Sequence, residues 1–312
     1  MMFFHHKSEI PNQNPFFYYG GNYPEETAEP FYHSGLMDYV LRVSVATHIG
    51  KVRGNHEDNF YLEELYMSDL FRNDFSATYT ISSADGMSFA VFDGMGGAAY
   101  GEVASEIAVR TLREYEKKLK EADGIRMLDQ LVSAYTAEAN DAICDMLTQK
   151  HCQVGGTTFS MLYFMGDAVK LYYLGDSRIY CYKTNTLTRL TRDHTVANQK
   201  VDASIYTEEE ALKSPDQHRI TLYIGSDRKK TGLNADSRPP IPLEIGNKFL
   251  LCTDGLTNMC TDDEIKDLLS QNYYNEASIL IQAALQNGGT DNVTCIVLEI
   301  LPARSEKDEE TN

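Results

Sequence analysis

Apolar positions recur along this chain with two different periods, and each change of period predicts a new element. Residues 40–47 alternate apolar and polar side chains as a strand does, and 88–92 read as a second strand. Across 100–120 and 125–149 the apolar residues fall three and four apart, which predicts two long helices, each with one apolar face. Strand-like runs return at 158–164, 169–174 and 178–182, separated by Gly-Asp and Asp-Ser turns, and again at 249–252. Thr261-Asp-Asp-Glu264 is a capping box that opens a helix to about residue 269, and 276–286 predicts another helix. Residues 292–300 close the pattern as a continuous apolar strand. Strands in runs, interrupted by helical pairs, favour an α+β layered sandwich over a doubly wound parallel sheet.

The two ends break both periods. Residues 1–35 are punctuated by Pro and Gly and rich in Tyr and Phe, which predicts a mobile extension whose aromatics could instead dock on the domain or on a partner. Residues 302–312 form a short charged tail, leaving 36–301 as one domain. The net charge of −18 argues against nucleic acid, whose phosphates need Lys and Arg, and agrees with a site that concentrates cations. No run nears the ~18 apolar residues of a spanning helix, and the start, Met1-Met-Phe-Phe-His-His-Lys, lacks a secretory apolar core, so no membrane partner and a cytoplasmic location are expected. The cysteines at 144, 152, 181, 252, 260 and 295 form no CxxC pair and read as buried free thiols.

The chemistry sits where strands end. Phe89-Ala-Val-Phe-Asp93-Gly-Met-Gly-Gly97 and Phe249-Leu-Leu-Cys-Thr-Asp254-Gly-Leu each deliver an Asp at a strand exit, followed by a glycine that lets backbone come close. Either could be an ordinary Asp-Gly turn. With them go Arg53-Gly-Asn-His-Glu57-Asp58 after the first strand, Leu174-Gly-Asp176-Ser-Arg178 between two strands, and Gly288-Gly-Thr-Asp291-Asn292 before the last. The candidate ligands are all oxygens, with no paired histidines or thiols, which suits Mg²⁺ or Mn²⁺ rather than zinc. Several carboxylates in one small volume repel and protonate one another unless cations intervene; two divalent ions resolve that conflict, activate a water and clamp a phosphoryl group. Arg53 offers the planar two-pronged grip a phosphate prefers. Phosphate ester hydrolysis follows.

The motifs Gly50-x-x-Arg53-x-x-x-Glu57-Asp58, Phe92-Asp93-Gly-Met-Gly-Gly97, Gly156-Thr-Thr158, Gly175-Asp-Ser-Arg178, Leu190-Thr-x-Asp193-His194, Thr253-Asp254-Gly255 and Gly289-x-Asp291-Asn292 stand in an order that closely resembles the protein phosphatase 2C family of metal-dependent protein serine/threonine phosphatases, its bacterial branch in particular, over residues 39–300. The resemblance implies two stacked, mainly antiparallel sheets in a four-layer α-β-β-α sandwich, with Mn²⁺ or Mg²⁺ ions in a cleft at one end. It implies that Asp93 bridges two ions, that Asp254 and Asp291 hold one, that Glu57 and the Gly94 carbonyl hold the other, and that Asp176 serves a weaker third. Arg53 matches the arginine that grips phosphate, and Asp58 an acid that orients the attacking water. The substrates implied are phosphoserine and phosphothreonine in proteins, opposite a cognate Ser/Thr kinase. The segment 195–219 matches a variable flap linked to substrate choice.

Two positions depart from that pattern. Met95 stands where some relatives carry a histidine proposed to protonate the leaving alkoxide; a thioether cannot donate a proton, which leaves that step to water or unassigned. His56 is a tempting substitute, but beside Glu57 its side chain is expected to face away. Asn258 stands where relatives often have an Asp supporting the third ion, so third-metal affinity is expected to be lower. Asp193 and His194 are expected to pin the loop before the flap, Ser177 and Thr158 lack a base partner for nucleophilic work, and Tyr172, Tyr173, Tyr180 and Tyr182 are expected to fill the sandwich.

Overall fold

The computed structural model describes residues 39–63, 65–67, 74–96, 100–226 and 233–303, all within the unit Phe31–Asn312. The extension 1–35, Gly97 of the glycine motif and the tail beyond residue 303 lie outside the described residues.

Strand β1 (Tyr39–His48) leads through a ten-residue loop, 49–58, to β2 (Asn59–Leu62), β3 (Leu65–Tyr66), β4 (Asp74–Ile81) and β5 (Ser88–Phe92). The short β6 (Gly94–Met95) precedes helices α1 (Gly101–Lys120) and α2 (Ile125–Gln149). Then come β7 (Gly156–Thr157), β8 (Phe159–Met165), β9 (Ala168–Leu174), β10 (Arg178–Lys183) and β11 (Thr186–Arg189). The flap holds α3 (Val196–Asp202), α4 (Glu208–Lys213) and a 3-10 turn at Pro215–His218. The chain continues with β12 (Asp236–Ser237), β13 (Ile241–Pro242), β14 (Lys248–Cys252), α5 (Asp254–Thr257), α6 (Asp262–Ser270), α7 (Glu276–Gln286) and β15 (Val293–Pro302).

Among the described residues these strands make two large antiparallel sheets, ordered β11-β10-β14-β15-β1-β4 and β12-β9-β8-β5-β2-β3, with β13 also on β9. Alternation along single strands stacks them. Phe89 and Val91 of β5 join Leu41, Val43, Val45, Ile296 and Leu298 in the core between the sheets, while Ala90 and Phe92 point the other way into α1 and α2. On the far side, Cys295 and Val297 of β15 meet Ile265, Leu269 and Leu280 of α6 and α7. Strands covered on both faces must be apolar throughout, which is why β5 and β15 read as unbroken apolar runs. The expected four-layer α-β-β-α order is the one observed. Tyr172, Tyr173 and Tyr180 are buried in it, as expected, with Tyr182 packed at its margin.

The predicted strands and helices recur within one or two residues, and two helices, 125–149 and 276–286, match at both ends. The capping box holds: Thr261 Oγ1 accepts from Glu264 N–H while Glu264 receives Thr261 N–H. Strands β2, β4 and β11 and helix α3 were not expected. β4 lies at a sheet edge with Asp74, Ser76 and Thr80 exposed, so polar residues dilute its pattern. Helix α3 has a single buried residue, Ala197, and is started by the Thr195 cap rather than by an apolar face. Pro302 belongs to β15, paired opposite Tyr39.

Candidate metal centre

Antiparallel register brings the acidic loops to one end of both sheets. In the first sheet Val293 opens β15 opposite His48, the last residue of β1, while Cys252 ends β14 opposite Cys295 and Arg178. In the second sheet Asn59 opens β2 opposite Phe92, the last residue of β5, and Phe159 opens β8 opposite Leu174, the last of β9. Asp291 therefore precedes β15, Asp254 follows β14, Asp176 lies in the β9–β10 turn, Asp93 follows β5, and Arg53, Glu57 and Asp58 occupy the β1–β2 loop.

Backbone contact then closes the arrangement. A Cβ on Gly94 would lie 2.2 Å from the Gly101 carbonyl oxygen and 2.5 Å from that of Glu57, so no other residue fits between β6 and the acidic loop. Gly94 N–H donates to the Glu57 carbonyl at 3.2 Å. Gly255 is as tightly held, since a Cβ there would sit 1.9 Å from the Asn292 carbonyl oxygen. Asn292 holds the β1–β2 loop at three points: its Nδ2 donates to the carbonyls of Ile49 (2.8 Å) and Asn55 (2.9 Å), and its Oδ1 accepts from Glu57 N–H at 2.7 Å. Asp93 is fixed through its backbone, with Thr158 Oγ1 accepting its N–H at 2.8 Å.

Burial and crowding oppose ionisation at this end. Asp58 is 3 % exposed. Burial pushes its carboxyl up to about 8, helped by the charges of Asp254 and Asp291 and opposed by hydroxyl donors from Thr294 (2.7 Å) and Thr253 (2.8 Å), both to Oδ2. Asp93 is raised well above the carboxylate range, first by burial and then by Asp58, Asp254, Asp176 and Asp291. Asp254 is raised by burial and Asp291, and its hydrogen bonds to Asp93 and Asn258 offset only part of this. Asp176 is raised by burial, Asp254 and Asp193, and its Oδ1 is buried without a hydrogen-bond partner. Glu57 is raised by burial despite Arg53. Arg53, 51 % exposed at its side chain, donates from Nη2 to Asp291 Oδ2 at 2.6 Å; burial works against its charge, but Asp291, Glu57 and Asp93 raise its pKa overall.

Among the described residues, no three of the His, Cys, Asp and Glu side chains stand in the close cage of a metal site. The carboxylates instead take protein partners: Asp291 holds Arg53, and Asp254 holds Asp93 and the Asn258 amide at 3.0 Å. The donor set nonetheless fits hard divalent cations. Buried acids that suppress one another's charge, all-oxygen donors and the unsatisfied Asp176 Oδ1 are what such ions would relieve.

The remaining candidates fall into supporting places. His56 is 4 % exposed and points inward to Thr47, away from solvent, so it offers no proton to a leaving group in the cleft. Burial lowers its pKa to about 4, with His48 adding to the effect, and the ring is neutral at physiological pH. His194 Nδ1 accepts Gly175 N–H at 3.0 Å and Asp193 grips Arg178 and Arg189, which ties the loop before the flap to the Asp176 turn. Thr158 Oγ1 and Ser177 Oγ are buried 2.7 Å apart and face each other, not the cleft. Asn258 supports Asp254 directly. The sequence reading missed Gly101, where a Cβ would lie 2.8 Å from the Glu57 carboxylate, and the hydroxyls of Thr253 and Thr294. Two buried hydroxyls in otherwise apolar strand ends were the available signal.

Comparison with known proteins bears on the family and the fold. The family model described as protein phosphatase 2C matches residues 65–285. The serine/threonine protein phosphatase PstP of Mycobacterium tuberculosis is 31 % identical over 265 residues, 84 % of this chain and 45 % of that protein, so the chain spans about half the length of that relative. The serine/threonine phosphatase stp of Listeria welshimeri is 28 % identical over 83 % of this chain and 96 % of its own. The crystal structure of the PstP catalytic domain in complex with 2 manganese ions superposes with a TM-score of 0.64 at 29 % identity, covering 84 % of this chain and 99 % of that one.

Proposed function

The chain belongs to the protein phosphatase 2C family, and on that footing we propose that it hydrolyses phosphoserine and phosphothreonine in proteins at a dinuclear Mn²⁺ or Mg²⁺ centre. Asp93, Asp254, Asp291, Glu57 and the Gly94 carbonyl hold the two ions, with Asp176 available to a weaker third. When bound, the ions supply the positive charge that lets water attack phosphorus at neutral pH. Arg53 grips the non-bridging phosphate oxygens, releasing Asp291 as it does so. Asp58 has Oδ2 filled by two threonine hydroxyls, leaving Oδ1 to accept a hydrogen of the attacking water. Met95 offers no proton to the departing alkoxide, so solvent protonates it. The substrates are phosphoproteins, and a cognate Ser/Thr kinase supplies them. Residues 36–301 form the catalytic domain, acting in the cytoplasm; no helix among the described residues is long and apolar enough to cross a membrane.

The observation that carries this proposal is the mutual suppression of charge among Asp93, Asp58, Asp254 and Asp176, a conflict that bound cations remove. Phosphate release from a phosphothreonine peptide tests it. Turnover is expected with Mn²⁺, none with excess chelator, and a loss beyond the roughly 10–100-fold typical of an outer partner in Asp254→Asn. Equal turnover in all three conditions overturns it.

A further inference from the structure

Behind Asp58 runs a buried hydrogen-bond chain that ends at His56. Thr47 and Thr294 face each other directly across the β1–β15 ladder, with their hydroxyl oxygens 2.7 Å apart. Thr294 Oγ1 donates to Asp58 Oδ2 at 2.7 Å, and Thr47 Oγ1 lies 2.9 Å from His56 Nε2. Each hydroxyl has one proton, so the direction of the chain follows from its end. With Asp58 ionised, as bound cations would leave it, the carboxylate only accepts. Thr294 therefore gives its proton to Asp58 and takes that of Thr47, and Thr47 must accept from His56. The imidazole carries its proton on Nε2, and Nδ1 is left as an acceptor. That Nδ1 is buried with no partner, against a cavity of ≈ 20 Å³ lined by His56, Asp58, Asn59, Met67 and Ser105, with Glu102 and Glu106 at its wall. Such a space admits a water with polar partners to hold it.

We propose that His56 is a positioning residue for Asp58, acting through Thr47 and Thr294 along this one-way chain, and that a water in the cavity donates to its Nδ1. His56 fixes the Thr47 hydroxyl toward Thr294, and Thr294 in turn is committed to Asp58 Oδ2, which holds the carboxylate in one orientation and leaves Oδ1 outside the chain. This deepens the phosphatase proposal and rests on it.

The test combines kinetics with a readout that does not depend on turnover. His56→Leu and Thr47→Val are each expected to lower kcat on a phosphothreonine peptide with Mn²⁺ by ~10-fold with little change in KM, in the range for groups that orient others. The double variant is expected to match the worse single one, and His56→Gln, which keeps an N–H donor near Nε2, to recover most of the loss. Unchanged kcat, multiplying losses in the double variant, or His56→Gln no better than His56→Leu would each overturn the chain. Ring ¹⁵N spectra of the unmutated Mg²⁺-saturated protein decide the same point even where a variant fails to fold: the His56 proton is expected on Nε2, and a proton on Nδ1 rules the proposal out. An unmutated chain without turnover sinks the phosphatase proposal instead, and the tautomer still decides the direction of the chain.

Discussion

Met95 is the residue that separates this centre from one with its own proton donor. It lies on β6, paired with Gly156, and under the proposed function it sets a thioether where the leaving alkoxide would need a hydrogen bond. Aryl phosphates, whose leaving groups depart as anions, are therefore expected to turn over faster relative to alkyl phosphoesters. Met95→His should narrow that ratio by raising the alkyl rate alone, and side-by-side kcat on both substrate classes checks it; no change on either class counts against the idea. At this scale the acids were legible because Asp-Gly after an apolar run is a local signal. The Asp58 threonines and His56 were not. Their roles depend on cross-strand pairing of residues 47 and 294, which no local spacing encodes.

Elements are joined by polar groups buried as deeply as the apolar ones. Lys248, the first residue of β14 just ahead of its apolar run, is 1 % exposed. Its Nζ donates to the Leu269 carbonyl in the last turn of α6 (2.7 Å), to Asn272 Oδ1 (2.7 Å), and to Glu276 at the start of α7. The outer helical layer is thus clamped to β14 by one ammonium. Removing it leaves buried Glu276 without its hydrogen-bonded counter-charge and with only the field of Arg42, so Lys248→Met is expected to cost about 3–5 kcal/mol. Adding Glu276→Gln should restore a large part; urea midpoints of both variants measure it. The doubly covered strands and long helices were legible from period alone, since both depend on apolar side chains at fixed spacing. The edge strand β4 and the flap helix α3 were not, because an edge presents polar residues outward and α3 stands on its cap and its neighbours.

For the whole molecule, gathering acids at one end makes folding and metal binding depend on pH together. The Asp58 carboxyl, held at about 8, keeps in the folded state a proton that the unfolded chain has released above its ordinary value of 3.8. The folded state then binds more protons, so stability falls as pH rises through that window. His56 acts the other way, with a folded value of about 4 against 6.5, and costs stability only as pH falls below 6.5. Between pH 6.5 and 8 the acids act alone. The metal-free protein is expected to lose thermal stability across that interval, and Mg²⁺ should raise Tm more at pH 8 than at pH 6.5, which thermal scans at both values would show; a flat response argues against the cluster. The net charge of −18 adds general repulsion in the same direction.

Equilibrium dialysis of Mn²⁺ against the unmutated chain and Asp93→Asn reaches the centre most directly, because Asp93 is the carboxylate opposed by Asp58, Asp254, Asp176 and Asp291 at once. About two ions per unmutated chain, and loss of both on Asp93→Asn, is the expected result. No binding to the unmutated chain, or a full complement on Asp93→Asn, contradicts a metal centre built around that residue.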